Sequence, residues 1–156
     1  MNEASEWRLA LARKILPAYT ASPKVDVVVV AGSVGRGCAD RYSDIEIDVF
    51  YSAPPTDAER AQIIAGAGGK TVQIWPYEED EWSEVYTVGG VKCEISGFLS
   101  ETLDRYLREV VENGEPTWEK QVLLYAVQNS IVLHGQPRAE RWRAKAAPIP
   151  MHWCGR

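Results

Sequence analysis

The segment VDVVVV at residues 25–30 constrains the fold more than any other part of the chain. Valine loses side-chain freedom in a helix and packs well on a pleated surface. A run this apolar suits a strand covered on both faces, which predicts a central strand with helices above and below. DIEIDVFY, starting at Asp44, adds a second constraint. Acids at 44, 46 and 48 alternate with apolar residues at 45, 47 and 49, the period of a strand whose one face is a row of carboxylates.

The remaining elements follow from local patterning. Trp7, Leu11 and Ile15 recur every four residues, predicting an amphipathic helix over 5–16 capped by Ser5 and weakened at Pro17. A helix over 57–67 ends at GAGG, and a short strand over 71–75 leads into Pro76 and an acidic loop at 78–81. Gly89-Gly90 between 82–88 and 91–96 is a hairpin signal, because a two-residue turn needs positive φ angles. Ser100 caps a helix carrying Leu103, Leu107 and Val110 that Asn113-Gly114 stops, a longer helix covers 117–133 with His134 capping its end, and a short helix covers 138–146. This order predicts an α/β domain over 1–147 with a mixed central β-sheet flanked by α-helices. Residues 148–156, including Trp153 and Cys154, read as an unstructured tail or the truncated start of a C-terminal helical region.

Charge and cysteine usage narrow the function classes. Seventeen basic against 22 acidic residues leave a formal charge of -5, which offers no broad cationic surface for a nucleic acid. No apolar stretch approaches the ~20 residues that span a bilayer, and the N-terminus lacks a signal peptide's regions, so a cytoplasmic protein is expected. Cys38, Cys93 and Cys154 contain no CxxC pair and read as reduced thiols. With His134 and His152 the only histidines, the chemistry falls to carboxylates.

Those carboxylates have a setting. Gly32-Ser33 leaves the valine strand through a turn suited to a phosphate, and it matches neither a Walker A loop nor a GxGxxG fingerprint. Asp44 and Glu46 lie two apart on one strand face, where their repulsion is relieved by Mg²⁺, a cation that takes oxygen ligands and completes its shell with water and substrate phosphates. Two such ions about 3.5–4 Å apart would orient a triphosphate and stabilise a leaving pyrophosphate. Glu94, an acid in the middle of the strand VKCEI, is the candidate third carboxylate; the alternative is a surface acid paired with Lys92 or an arginine. Asp48 reads as a solvent-face acid or a supporting one. Trp75, Tyr77, Trp82 and Tyr86 read as hairpin packing.

Together, VVVVAGS, DIEI and Glu94 resemble the signature of the nucleotidyltransferase superfamily, the polymerase-β-like fold, over residues 25–96. The similarity is greatest to its small bacterial branch, which holds aminoglycoside and lincosamide adenylyltransferases and minimal nucleotidyltransferase antitoxins. The resemblance implies that Gly32 and Ser33, with Arg36 and Ser43, bind the nucleotide. It also implies that Asp44, Glu46 and Glu94 are the catalytic metal ligands, with Glu94 alternatively the base toward the acceptor. Two Mg²⁺ ions, or Mn²⁺ in their place, are the implied cofactor. The implied reaction moves AMP from ATP to a hydroxyl of a small-molecule acceptor. A partner toxin as acceptor and a catalytically inactive nucleotide-binding or partner-binding fragment are the alternatives, and a homodimer would complete a shared pocket.

Overall fold

The computed structural model describes residues 1–149. It is a mixed α/β structure: one six-stranded sheet in the order β3-β4-β5-β2-β1-β6 with helices on both faces. The strands are β1 (Val25–Val30), β2 (Ile45–Tyr51), β3 (Lys70–Glu78), β4 (Glu81–Val88), β5 (Val91–Leu99) and β6 (Ile131–His134). The helices are α1 (Glu3–Thr20), α2 (Gly32–Gly35), α3 (Asp57–Gly66), α4 (Ser100–Leu107), α5 (Trp118–Gln128) and α6 (Gln136–Ala146), with a π-helical turn at Arg108–Glu112. β2 and β5 are parallel, and every other pairing is antiparallel.

The valine strand is buried on both faces, as its composition requires. Val25, Val28 and Val30 join the core under α1 and α3, whereas Val27 and Val29 join the core under α4, α5 and α6. At roughly 1.5–3 kcal/mol per buried valine, this strand is a main anchor of both layers. It is not the central strand, because β6 pairs on its outer side and leaves β5 and β2 in the middle.

That pairing overturns the helix predicted over 117–133. α5 stops at Gln128, and Ile131–His134 adds to the free edge of β1, with Val30 opposite Ile131 and Val28 opposite His134. His134 is therefore a strand residue and no helix cap. An unpaired edge beside a buried valine strand needs hydrogen-bond partners, and the β-branched Ile131 and Val132 supply them.

The N-terminal helix also differs from its pattern. It is capped by Asn2, whose Oδ1 accepts from the Ser5 amide at 2.9 Å, and it runs through Pro17 to Thr20. Its buried face carries Ser5, Arg8, Leu9, Ala12, Ile15 and Tyr19, whereas Trp7 is exposed beneath the Arg8 guanidinium. Ser5 Oγ accepts from the Ala39 amide at 3.0 Å, and Arg8 Nε donates to the Ser43 carbonyl at 2.8 Å. α1 thereby pins the loop that joins α2 to β2.

β3 is longer than predicted and continues through Pro76, which an edge strand tolerates because its outer N–H groups have no ladder partner. The acidic stretch is a tight turn on Glu79 and Asp80, both at positive φ, and Arg105 of α4 holds it through Asp80 at 2.6 Å. The hairpin around Gly89-Gly90 forms as expected, with Trp82 and Tyr86 buried and Trp75 and Tyr77 exposed. Ser100 opens α4 without capping it, because its hydroxyl donates to Asp26 at 2.6 Å. Cys38 and Cys93 are free thiols. Ile149 packs against the core under α4 to α6, and the rest of the predicted tail, from residue 150 on, lies outside the described residues. Among the described residues, no helix is long and apolar enough to cross a membrane.

Candidate active site

The chain leaves β1 at Ala31 and enters the single turn of α2, where the first N–H groups of a helix have no carbonyl of their own. Gly32 adopts φ +61°, and a Cβ there would lie 2.5 Å from the carboxyl carbon of Glu46. The Ala31 amide donates to the Glu46 carbonyl at 2.9 Å. Glycine is therefore favoured by the left-handed backbone, and its lack of a Cβ lets the Glu46 carboxylate rest against the chain. Ser33 is half-buried and Arg36 exposed on the same segment. Ser43 is engaged by its own loop: its hydroxyl donates to Asp40 Oδ1 and accepts from the Asp40 amide, both at 2.9 Å.

The three predicted carboxylates meet at one end of the sheet because β2 and β5 run parallel. Their register places Glu46 directly opposite Glu94. Lys92 and Glu94 share a face of β5 by the period of two, and Lys92 Nζ lies 2.6 Å from Glu94 and 3.1 Å from Asp44. Glu94 thus has the Lys92 partner that the alternative reading gave it, and it stands opposite Glu46. Both carboxylates hold the Lys92 ammonium above its usual pKa range. Glu46 titrates above the usual carboxylate range because part of its water is lost and Glu94 stands opposite; Arg36 partly offsets this. A set of carboxylates on two adjacent strands is the donor chemistry of a hard divalent cation. Among the described residues, no three are drawn together at metal-holding distance, and the ammonium of Lys92 stands between two of these.

Inward from this group, a cleft of about 480 Å³ opens between the sheet and α4 and α5. Gly32, Arg36 and Glu46 line its mouth, whereas Asp48, Ser96 and Phe98 form part of its floor and Tyr106, Trp118 and Tyr125 its helical wall. Ser33, Ser43, Asp44 and Glu94 are outside this lining.

Asp48 corrects the solvent-face alternative of the sequence reading. It is buried, at 9% exposure, on the face covered by the helices rather than on a solvent face. Burial, aided by Glu46 and Glu81, pushes its carboxyl up to about 7. The strict alternation with Glu46 placed both on one face, and only the packing of α4 and α5 shows that this face is closed. Glu81, Tyr106 and Trp118 were also missed, because no local pattern says that a hairpin end and two helices wall one cleft. A second concavity shares Glu81, Tyr106 and Glu119 with the cleft and adds Glu78, Glu79 and Asp80 beside Trp75 and Trp82.

No family model and no curated protein matches the chain. Among solved structures, the chain is similar to Cid1 poly(U) polymerase bound to MgGTP, at 21% identity over 69% of this chain and 36% of that one, with a TM-score of 0.43. A Cid1 variant bound to MgATP aligns at 16% identity over 82% and 43%, with a TM-score of 0.47. A cytoplasmic RNA terminal U-transferase aligns at 17% identity over 82% and 41%, with a TM-score of 0.45. The chain thus spans less than half the length of each of these enzymes.

Proposed function

We propose that the protein is a nucleotidyltransferase that moves the nucleoside monophosphate of a nucleoside triphosphate, AMP from ATP, to a hydroxyl of a small acceptor. One observation carries this reading: Glu46 rests against Gly32 in the lining of a cleft of about 480 Å³, and the parallel register sets Glu94 opposite it with Asp44 next on the same strand face. Asp44 and Glu46, with Glu94, are the residues that would hold Mg²⁺ or Mn²⁺. Bound there, one or two such ions supply Lewis-acid stabilisation of the charge on the triphosphate.

The chain's own groups divide the remaining work. Backbone N–H groups of Gly32 and Ser33 face the β and γ phosphates, and Arg36 neutralises phosphate charge at the mouth. Tyr106, Trp118 and Tyr125 offer aromatic faces for the base. The acceptor oxygen bonds to the α-phosphorus, the bond from that phosphorus to the β-phosphate oxygen breaks, and pyrophosphate leaves. Glu94, when it is not a ligand, takes the acceptor's proton. Glu78, Glu79 and Glu81 beside the cleft disfavour a polyanionic acceptor, which supports a neutral or cationic small molecule over a nucleic acid.

The test is incubation with ATP labelled at its α-phosphorus, a divalent ion and a panel of hydroxylated acceptors. Label should pass to an acceptor with release of pyrophosphate, and both should vanish with EDTA and in Asp44→Asn. Turnover that persists in Asp44→Asn would overturn the assignment.

A further inference from the structure

Lys92 is ion-paired with two of the three predicted carboxylates. Its ammonium lies 2.6 Å from Glu94 and 3.1 Å from Asp44, on a side chain that is 45% exposed. The position follows from register: Glu46 stands opposite Glu94, and continuing the parallel ladder by two residues sets Asp44 beside Lys92 on the same face. This end of the face therefore carries Asp44, Glu46 and Glu94 with one ammonium, Asp48 lying farther along under the helices, and that ammonium pairs with the two acids that would otherwise repel each other across β2 and β5.

We infer that Lys92 is an internal stand-in for the divalent cation: it holds Asp44 and Glu94 while the site is empty, and it transfers to the triphosphate when metal and nucleotide enter. This rests on the nucleotidyltransferase reading of the same site. Three facts support it. An ammonium on a four-carbon stem is a mobile point charge, so a half-exposed pair is readily displaced by a cation of twice the charge. Once the ion takes Asp44 and Glu94, it repels the ammonium beside it. The anion then offered to Lys92 is the triphosphate that the proposed reaction brings to Gly32, because the Glu46 carboxylate rests against Gly32 and Glu46 stands opposite Glu94, the partner of Lys92. The arrangement also accounts for carboxylates that are adjacent yet not gathered at metal-holding distance.

The inference predicts two opposite effects of one substitution, which a merely structural ion pair would not produce. Mn²⁺ binding without nucleotide, followed by electron paramagnetic resonance, should be about tenfold tighter in Lys92→Met than in the wild type, because the competing ammonium is gone. ATP binding at saturating Mg²⁺, followed by calorimetry, should be about tenfold weaker in the same variant. Lys92→Arg should restore ATP binding to within a few-fold, and Lys14→Met, the same charge change on the exposed face of α1, should alter neither. Unchanged or weaker Mn²⁺ binding in Lys92→Met would overturn the stand-in role, and unchanged ATP binding would overturn the transfer to the triphosphate. Thermal unfolding of each variant separates these outcomes from misfolding. Failure of the nucleotidyltransferase reading is separately visible: the wild type would then bind no ATP with metal, while the Mn²⁺ comparison still decides whether Lys92 competes for the acids.

Discussion

Glu46 and Glu94 stand directly opposite each other on the parallel strands β2 and β5. Like charges so placed cost stability, by about 0.2–1 kcal/mol for a cross-strand pair. Partial burial, Glu94 and Asp44 accordingly raise the Glu46 carboxyl above its usual range.

Removing one member should separate stability from activity. Glu46→Gln keeps the side-chain shape and removes the repulsion, so urea unfolding without metal should show stability unchanged or up to ~1 kcal/mol higher. Nucleotidyl transfer and Mn²⁺ binding should both be lost. A clear loss of stability would mean that Glu46 is held by interactions other than those described.

Gly32 should not tolerate a side chain. Its φ of +61° costs a non-glycine residue about 1–2 kcal/mol, and an added Cβ would meet the Glu46 carboxylate at 2.5 Å. Gly32→Ala should therefore lose about 1–2 kcal/mol of stability in urea unfolding. The Glu46 carboxylate is the free end of a flexible side chain and can swing aside, so a double-mutant cycle with Glu46→Ala by urea unfolding should be additive to within about 0.5 kcal/mol.

Asp48 should make stability fall with rising pH. Its carboxyl titrates at about 7 in the folded protein and near 3.8 when unfolded. Below the lower value both states are protonated and nothing changes. Between the two the unfolded chain ionises first, so folding loses stability as pH rises, and above the upper value the loss is complete. The loss by pH 8 should be on the order of a few kcal/mol. Asp48→Asn should flatten this slope in melting curves between pH 4 and pH 8; an unaltered slope would assign it to other groups.

On the opposite face, Arg60 and Glu84 form a buried pair, with Nε and Nη2 of Arg60 donating to one Glu84 oxygen at 2.8 and 2.6 Å. Burial raises the Glu84 carboxyl, and Arg60 opposes that rise. Arg60→Met should cost about 3–5 kcal/mol, because Glu84 is left buried and uncompensated. The double variant Arg60→Met with Glu84→Met should recover most of it, and denaturant titration of the three proteins checks both statements.

Much of this architecture was legible along the chain. The valines of β1 declared a buried strand, the alternation of β2 placed Asp44, Glu46 and Asp48 on one face, and Gly89-Gly90 announced the hairpin. Helix ends were less legible: Thr20 lies beyond a proline that local propensity reads as a stop, and Tyr19 is anchored by its hydroxyl 2.7 Å from that of Tyr86, 67 residues away. β6 was hidden inside a helical period, because what makes 131–134 a strand is the vacant edge of β1.

The candidate site divides along the same line. Residue types and a period of two sufficed to nominate Gly32, Asp44, Glu46 and Glu94, because acids on a strand and glycine after one are local chemistry. Sequence alone could not set the parallel register that puts Glu46 opposite Glu94 and brings Lys92 between Glu94 and Asp44. Nor could it tell which face of β2 is covered, which turns Asp48 from a surface acid into a buried one. Register and burial are pairwise properties of segments far apart in the chain, decided by which strand edges and apolar faces find each other, and local patterning carries no record of that choice.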